Sequence, residues 1–78
     1  MSQGTIEKLA HMANQIGDFH AVMSPEEGAA GVATHIRKFW TPKMIAQALA
    51  AREQQKFPLN ETSARGFAIL KQEFASAT

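Results

Sequence analysis

Cysteine is absent from these 78 residues. With it go disulfides, thiolate zinc sites, iron–sulfur ligation and cysteine nucleophiles, and a reducing, cytoplasmic setting is expected. Charge bias is missing too. Eight Lys and Arg stand against seven Asp and Glu, for a net charge of +1, so the chain lacks the electropositive footprint of a nucleic-acid or anionic-membrane binder. No apolar run approaches the roughly 20 residues of a membrane span. The opening stretch MSQGTIEKLAHMANQ has no apolar block of the kind a signal peptide carries. What is present is globular: 45% of residues are hydrophobic and 19% charged, values that differ from those of a disordered tail. A chain of this length makes one domain, residues 1–78. It buries only about 60% of its unfolded surface, a marginal core unless a partner completes it.

Catalytic machinery is also missing. His11, His20 and His35 show neither the i, i+4 spacing of a helical metal pair nor an HExxH setting. Glu26 and Glu27 fall in the first turn of a predicted helix, where the dipole favours negative charge. The GAAG at residues 28–31 lacks the Lys-Ser/Thr and strand context of a phosphate loop. No catalytic, cofactor-binding or metal-ligating residue is therefore expected in this chain.

The patterning is helical throughout, and the expected fold is all-α, a compact bundle of three to four short helices. The first helix is predicted over 5–20, capped by Thr5, with Ile6, Leu9, Met12, Ala13, Ile16 and Phe19 on one broad face. His20, at its end, is placed to serve the last carbonyls. A second helix begins at SPEE, where Ser24 caps, Pro25 enters the first turn and Glu27 completes a capping box. Its apolar stripe is Ala29, Val32, Ala33, Ile36, Phe39 and Trp40. Gly28 and Gly31 weaken it by about 1 kcal/mol each relative to Ala, and their smallness suits the close approach of another helix. A third helix begins by the same logic at TPKM, capped by Thr41. Pro42 disfavours helical geometry at Thr41, so a sharp corner is expected there. The run MIAQALAA leaves that helix apolar around most of its circumference. Pro58 makes residues 53–60 a connector, and a fourth helix is predicted over 61–75, with Ala64, Phe67, Ala68, Leu70 and Phe74 on a ragged face.

The stretch HIRKFWTPKM, residues 35–44, holds the only tryptophan and three of the eight Lys and Arg. Arg37 and Lys38 complement the C-terminal end of the second helix, and Trp40 and Phe39 extend its stripe. Trp and Arg are also common interface anchors, and a small helical domain with surplus apolar surface hides it against something. Partner docking is thus one reading of this corner. A helix-turn-helix is a second, although PKMIAQALAA offers little to read base edges. Self-association through the apolar third helix, giving a homo-oligomer of the isolated chain, is a third. Asn14 and Gln15 flank the face of the first helix as either solvated amides or hydrogen-bonding groups at a contact.

Two segments resemble a known family. KLAHMANQIGDF (residues 8–19) and GVATHIRKFWTPKM (residues 31–44) are similar, in order and spacing, to the signatures of the delta subunit of NAD-dependent, molybdenum- or tungsten-containing formate dehydrogenases. The matching positions are Met12, Asn14, Gln15, Ile16, Phe19, His35, Arg37, Phe39, Trp40, Pro42 and Met44. Thr41 replaces a frequent acidic cap, preserving its chemistry, and His20 stands where the family often has a second aromatic. Beyond about Arg52 the resemblance fades. It implies a non-catalytic accessory subunit that assembles or stabilises a soluble, multi-subunit enzyme. The partners would be the large formate dehydrogenase subunits, which would carry the molybdopterin, iron–sulfur clusters and flavin. Read as a docking surface for those partners, the expected interface comprises Met12, Asn14, Gln15, Phe19, His35, Arg37, Lys38, Phe39, Trp40, Pro42 and Met44, with Trp40 and Phe39 anchoring the corner, Arg37 and Lys38 forming its rim, and Asn14 and Gln15 bonding across it.

Overall fold

Small polar residues set next to prolines mark the starts of the second and third helices. The computed structural model describes the backbone of residues 2–77 and the side chains of residues 5–74, so the ends of the expected domain, residues 1 and 78, lie outside it. Its elements are α1 (Ser2–His20), α2 (Pro25–Phe39), α3 (Pro42–Glu53) and α4 (Glu61–Ala77). The fold is all-α, with no strand among the described residues. None of these helices is long and apolar enough to cross a membrane.

Two of the predicted caps form as expected. Ser24 Oγ accepts from the Glu27 amide at 3.2 Å and Thr41 Oγ1 from the Met44 amide at 3.1 Å, each followed by its proline in the first turn. Trp40 closes α2 by donating its N–H to Ile36 O, then leaves in extended geometry at φ −101°, ψ 144°. The corner at Thr41 is real. Asn60 caps α4, its Oδ1 accepting from the Ser63 amide at 2.9 Å. The first cap differs: α1 begins at Ser2, so Thr5 lies within the helix and is not its cap.

The exit from α3 is a Schellman motif. Lys56 N–H reaches Ala51 O and Gln55 N–H reaches Arg52 O, which requires a left-handed residue at the position after the cap. Gln55 supplies it at φ 61°, where glycine is the usual occupant.

The core gathers Leu9, Ala10 and Ala13 from α1, Val32, Ala33 and Ile36 from α2, Ile45, Ala48 and Ala51 from α3, and Phe67 and Leu70 from α4. Phe67, fully buried, is its centre. The rings of Trp40 and Phe57 meet it edge-on, with centroids at 5.9 and 5.4 Å, a geometry that suits aromatic quadrupoles. Phe57 comes from the stretch read as a connector, so that stretch also delivers a core side chain. Small residues set the helix spacing. A methyl on Gly66 would stand 2.5 Å from Val32 Cγ1 where α4 crosses α2. A methyl on Gly28 would stand 2.9 Å from His20 O and 3.1 Å from Thr62 Cγ2, and one on Gly31 would run into the His20 ring. The close approach expected at Gly28 and Gly31 is thus present.

Several expected core positions face outward. Phe39 is 70% exposed and Phe19 75% exposed, and Met12 also lies at the surface. The reason is rotational. Trp40 sits four residues after Ile36 and takes the inward position; Phe39, one residue earlier, is turned about 100° away. On α1 the inward arc is rotated to take in Ala10 and Gly17, both buried, and Gly17 faces Ser63 of α4 and its cap Asn60. On α4, Ala68 is exposed and Ile69 half-buried, the reverse of the expected order.

Candidate partner interface

α1 and α4 are joined by a polar lock built from residues more than forty positions apart. Asn14 Nδ2 donates to Pro58 O at 3.0 Å, and its Oδ1 accepts from the Asn60 amide at 2.8 Å. Asn60 Nδ2 donates to Asn14 O at 3.0 Å and to Asp18 Oδ1 at 3.1 Å. Ser63 Oγ, wholly buried, donates to Ala13 O at 2.6 Å. Gly17 makes room for this cluster, since a methyl there would stand 2.1 Å from Ser63 Oγ. Asn14 therefore spends both ends of its amide inside the chain, while its neighbour Gln15 is exposed.

The corner residues divide between inside and outside. Trp40 is only 5% exposed, packed on Phe67, and Met44 is half-buried against the core. Pro42, Arg37, Lys38 and Phe39 are exposed. Arg37 does not point freely outward: its Nε and Nη2 meet both carboxylate oxygens of Glu73 at 3.1 and 2.8 Å, a bidentate pair that ties α2 to α4. Lys38, its neighbour, enters no ion pair among the described residues.

On the opposite flank of α2 a strip of rings reaches from one predicted segment to the other. The Phe19 ring meets His20 edge-on at 5.2 Å. His20 hydrogen-bonds Ile16 O through Nδ1 at 2.9 Å, serving the helix end as expected, and lays its ring over Gly31. Four and eight residues on come His35 and Phe39, whose rings are 4.7 Å apart. These α2 positions share one edge of the helix and span about 12 Å. A shallow groove runs along them, lined also by Ala30, Thr34 and Lys38.

Val22, 89% exposed, and Met23 stand beside this strip in the turn after α1, and neither was singled out by sequence. One signal could have marked Met23. It precedes the cap Ser24, where an apolar residue often staples to the fourth helical residue. Here that residue is Gly28, with no side chain to meet it, so Met23 stays in solvent. The exposed apolar residues Met12, Phe19, Val22, Met23 and Phe39 lie on α1, the turn after it and the end of α2. Among the described residues no three His, Cys, Asp or Glu side chains converge as metal ligands do.

Residues 8–66 match the family of the NADH-dependent formate dehydrogenase delta subunit FdsD. The match covers most of the chain, which belongs to this family. It starts at Lys8, as the resemblance suggested, but continues past Arg52 to Gly66. The expected limit near Arg52 is therefore corrected, and packing gives a reason. Asn60, Ser63 and Gly66, which dock α4 on α1 and α2, lie in the added segment. No curated protein and no solved structure matches the chain.

Proposed function

With membership of the delta-subunit family as premise, we propose that this chain is a non-catalytic accessory subunit. It binds the larger subunits of a soluble, cytoplasmic NAD-dependent formate dehydrogenase and stabilises the assembly or helps it form. In this reading the molybdopterin, iron–sulfur clusters and flavin are held by those larger subunits, and this chain contributes surface only. The observation that carries the proposal is the exposure of Phe19, Val22, Met23 and Phe39 on a domain whose core is already closed by Trp40, Phe57 and Phe67. Apolar groups of this size left in solvent mark an interaction surface, and aromatic residues are enriched where such surfaces bind. The docking role passes from Trp40 to Phe39 and Phe19: the tryptophan builds the corner, and the two phenylalanines project from its vicinity and from the end of α1.

Co-expression of the large subunits with and without this chain tests the reading. Size-exclusion chromatography of the product is expected to place this chain in the large complex, and its omission to lower the yield or thermal midpoint of that complex. A Phe19→Ser, Phe39→Ser double variant should fold normally and leave the complex. Co-elution of the double variant at wild-type stoichiometry would contradict the assigned surface.

A further inference from the structure

The groove along α2 has a chemistry of its own. It is lined by His20, Ala30, Gly31, Thr34, His35, Lys38 and Phe39, with the His20 ring lying over Gly31. Every titratable residue in that lining is basic, and no carboxylate contributes to it. Three other cations are paired with carboxylates: Arg37 with Glu73, Arg65 with Glu61 and Lys71 with Glu53. Lys38 enters no ion pair among the described residues and lines the groove together with Phe39. Because the His20 ring already covers Gly31, an apolar side chain can pack against that ring and the His35–Phe39 pair, while a carboxylate within the same segment reaches Lys38 and the Thr34 hydroxyl.

Resting on the accessory-subunit reading, we propose that this groove receives an acidic-apolar segment of a larger subunit. That segment carries an Asp or Glu for Lys38 next to an aliphatic or aromatic residue that packs between His20 and Phe39. Charge complementarity selects this occupant over a basic or neutral helix, because like charges placed opposite each other are costly and complementary ones fix register. A phosphate backbone is disfavoured by the chain's net charge of +1, which gives no extended basic track.

The test uses the co-expressed complex. Lys38→Glu is compared with Lys43→Glu, which changes an exposed lysine outside the groove, and a photo-crosslinking residue is placed at Phe39. Circular dichroism of each purified variant establishes that it is folded. The expected result is at least about a tenfold weakening of subunit binding for Lys38→Glu and little change for Lys43→Glu. The crosslinked large-subunit peptide should contain an Asp or Glu beside an apolar residue. Reversing that acidic residue to Lys should restore binding of Lys38→Glu. Equal binding of both lysine variants overturns the proposal while leaving the accessory role standing. A crosslink to a second copy of this chain, to nucleic acid or to a peptide without a carboxylate also overturns it. Failure of the wild-type chain to bind the large subunits would instead overturn the accessory reading on which the proposal rests.

Discussion

Gly17→Ala sets helix propensity against packing, and the two predict opposite signs. Gly17 lies inside α1, where alanine is favoured over glycine by about 0.8–1.0 kcal/mol. Propensity alone predicts a more stable protein. The structure predicts the reverse, because the new methyl would lie 2.1 Å from Ser63 Oγ and 2.5 Å from Asn60 Oδ1. If Ser63 turns away, it abandons its bond to Ala13 O and leaves a fully buried hydroxyl unpaired, at about 1–3 kcal/mol. If the helices separate instead, overpacking costs about 1–3 kcal/mol and strains the Asn14–Asn60 bonds. Net destabilisation of up to about 2 kcal/mol is expected once the propensity gain is subtracted. Each kcal/mol lowers the thermal midpoint of a domain this size by about 4–8 °C. Urea and thermal unfolding of the purified chain, followed by circular dichroism, measure it. A double-mutant cycle with Ser63→Ala locates the cause: without Oγ, the cost of Gly17→Ala should fall by about 1 kcal/mol. A variant more stable than wild type, or a cost unchanged in the Ser63→Ala background, would refute the account of the α1–α4 contact.

Further expectations concern the caps, the aromatic core and the surface pairs. Gln55→Gly should raise stability by about 0.5–1 kcal/mol in urea unfolding, since it relieves a left-handed side-chain residue at φ 61° in a position glycine prefers. Trp40→Ala should cost about 3–5 kcal/mol by emptying the space against Phe67, enough to leave the isolated chain largely unfolded by near-ultraviolet circular dichroism. Phe39→Ser, at a 70% exposed position, should change folding stability by no more than about 0.5 kcal/mol. Lys71 Nζ hydrogen-bonds the Glu53 carboxylate and, with its charge, holds Glu53 below the usual carboxylate range. A depressed carboxyl contributes stability above its unfolded pKa and loses it as pH falls through the folded value. NMR titration of Lys71→Met should therefore show the Glu53 midpoint moving up. Because this pair lies in solvent, its stabilising effect should fade with added salt.

Local chemistry was the legible part of the fold. Ser24-Pro25 and Thr41-Pro42 act through neighbours three residues away, so a short stretch of sequence contains all that decides those helix starts and the corner between them. The rotation of each helix was less legible, because it depends on what lies opposite. Phe39 and Trp40 carry similar apolar weight, yet only the residue in phase with Ile36 and Ala33 can face inward. Gly17 and Gly66 look like weaknesses in a helix when read singly, and become close contacts only when another element is beside them. Phe57 lay in a stretch broken by proline, where periodicity carries no information. Asn14 resembles a solvated amide until Pro58 and Asn60 are brought to it from across the chain. At the candidate interface the relevant segments could be read, 8–19 and 31–44, but not which of their side chains remain outside. The exposed Val22 and Met23 between them were passed over because a turn gives no periodicity by which to judge an apolar pair.

The most direct test of the central claim is affinity capture of the tagged chain from its native host, with mass spectrometry and an assay of formate-dependent NAD reduction on the captured material. The account predicts that the large formate dehydrogenase subunits come with the chain in fixed stoichiometry and bring the activity with them. Recovery of the chain alone, or with partners that reduce no NAD from formate, would contradict it.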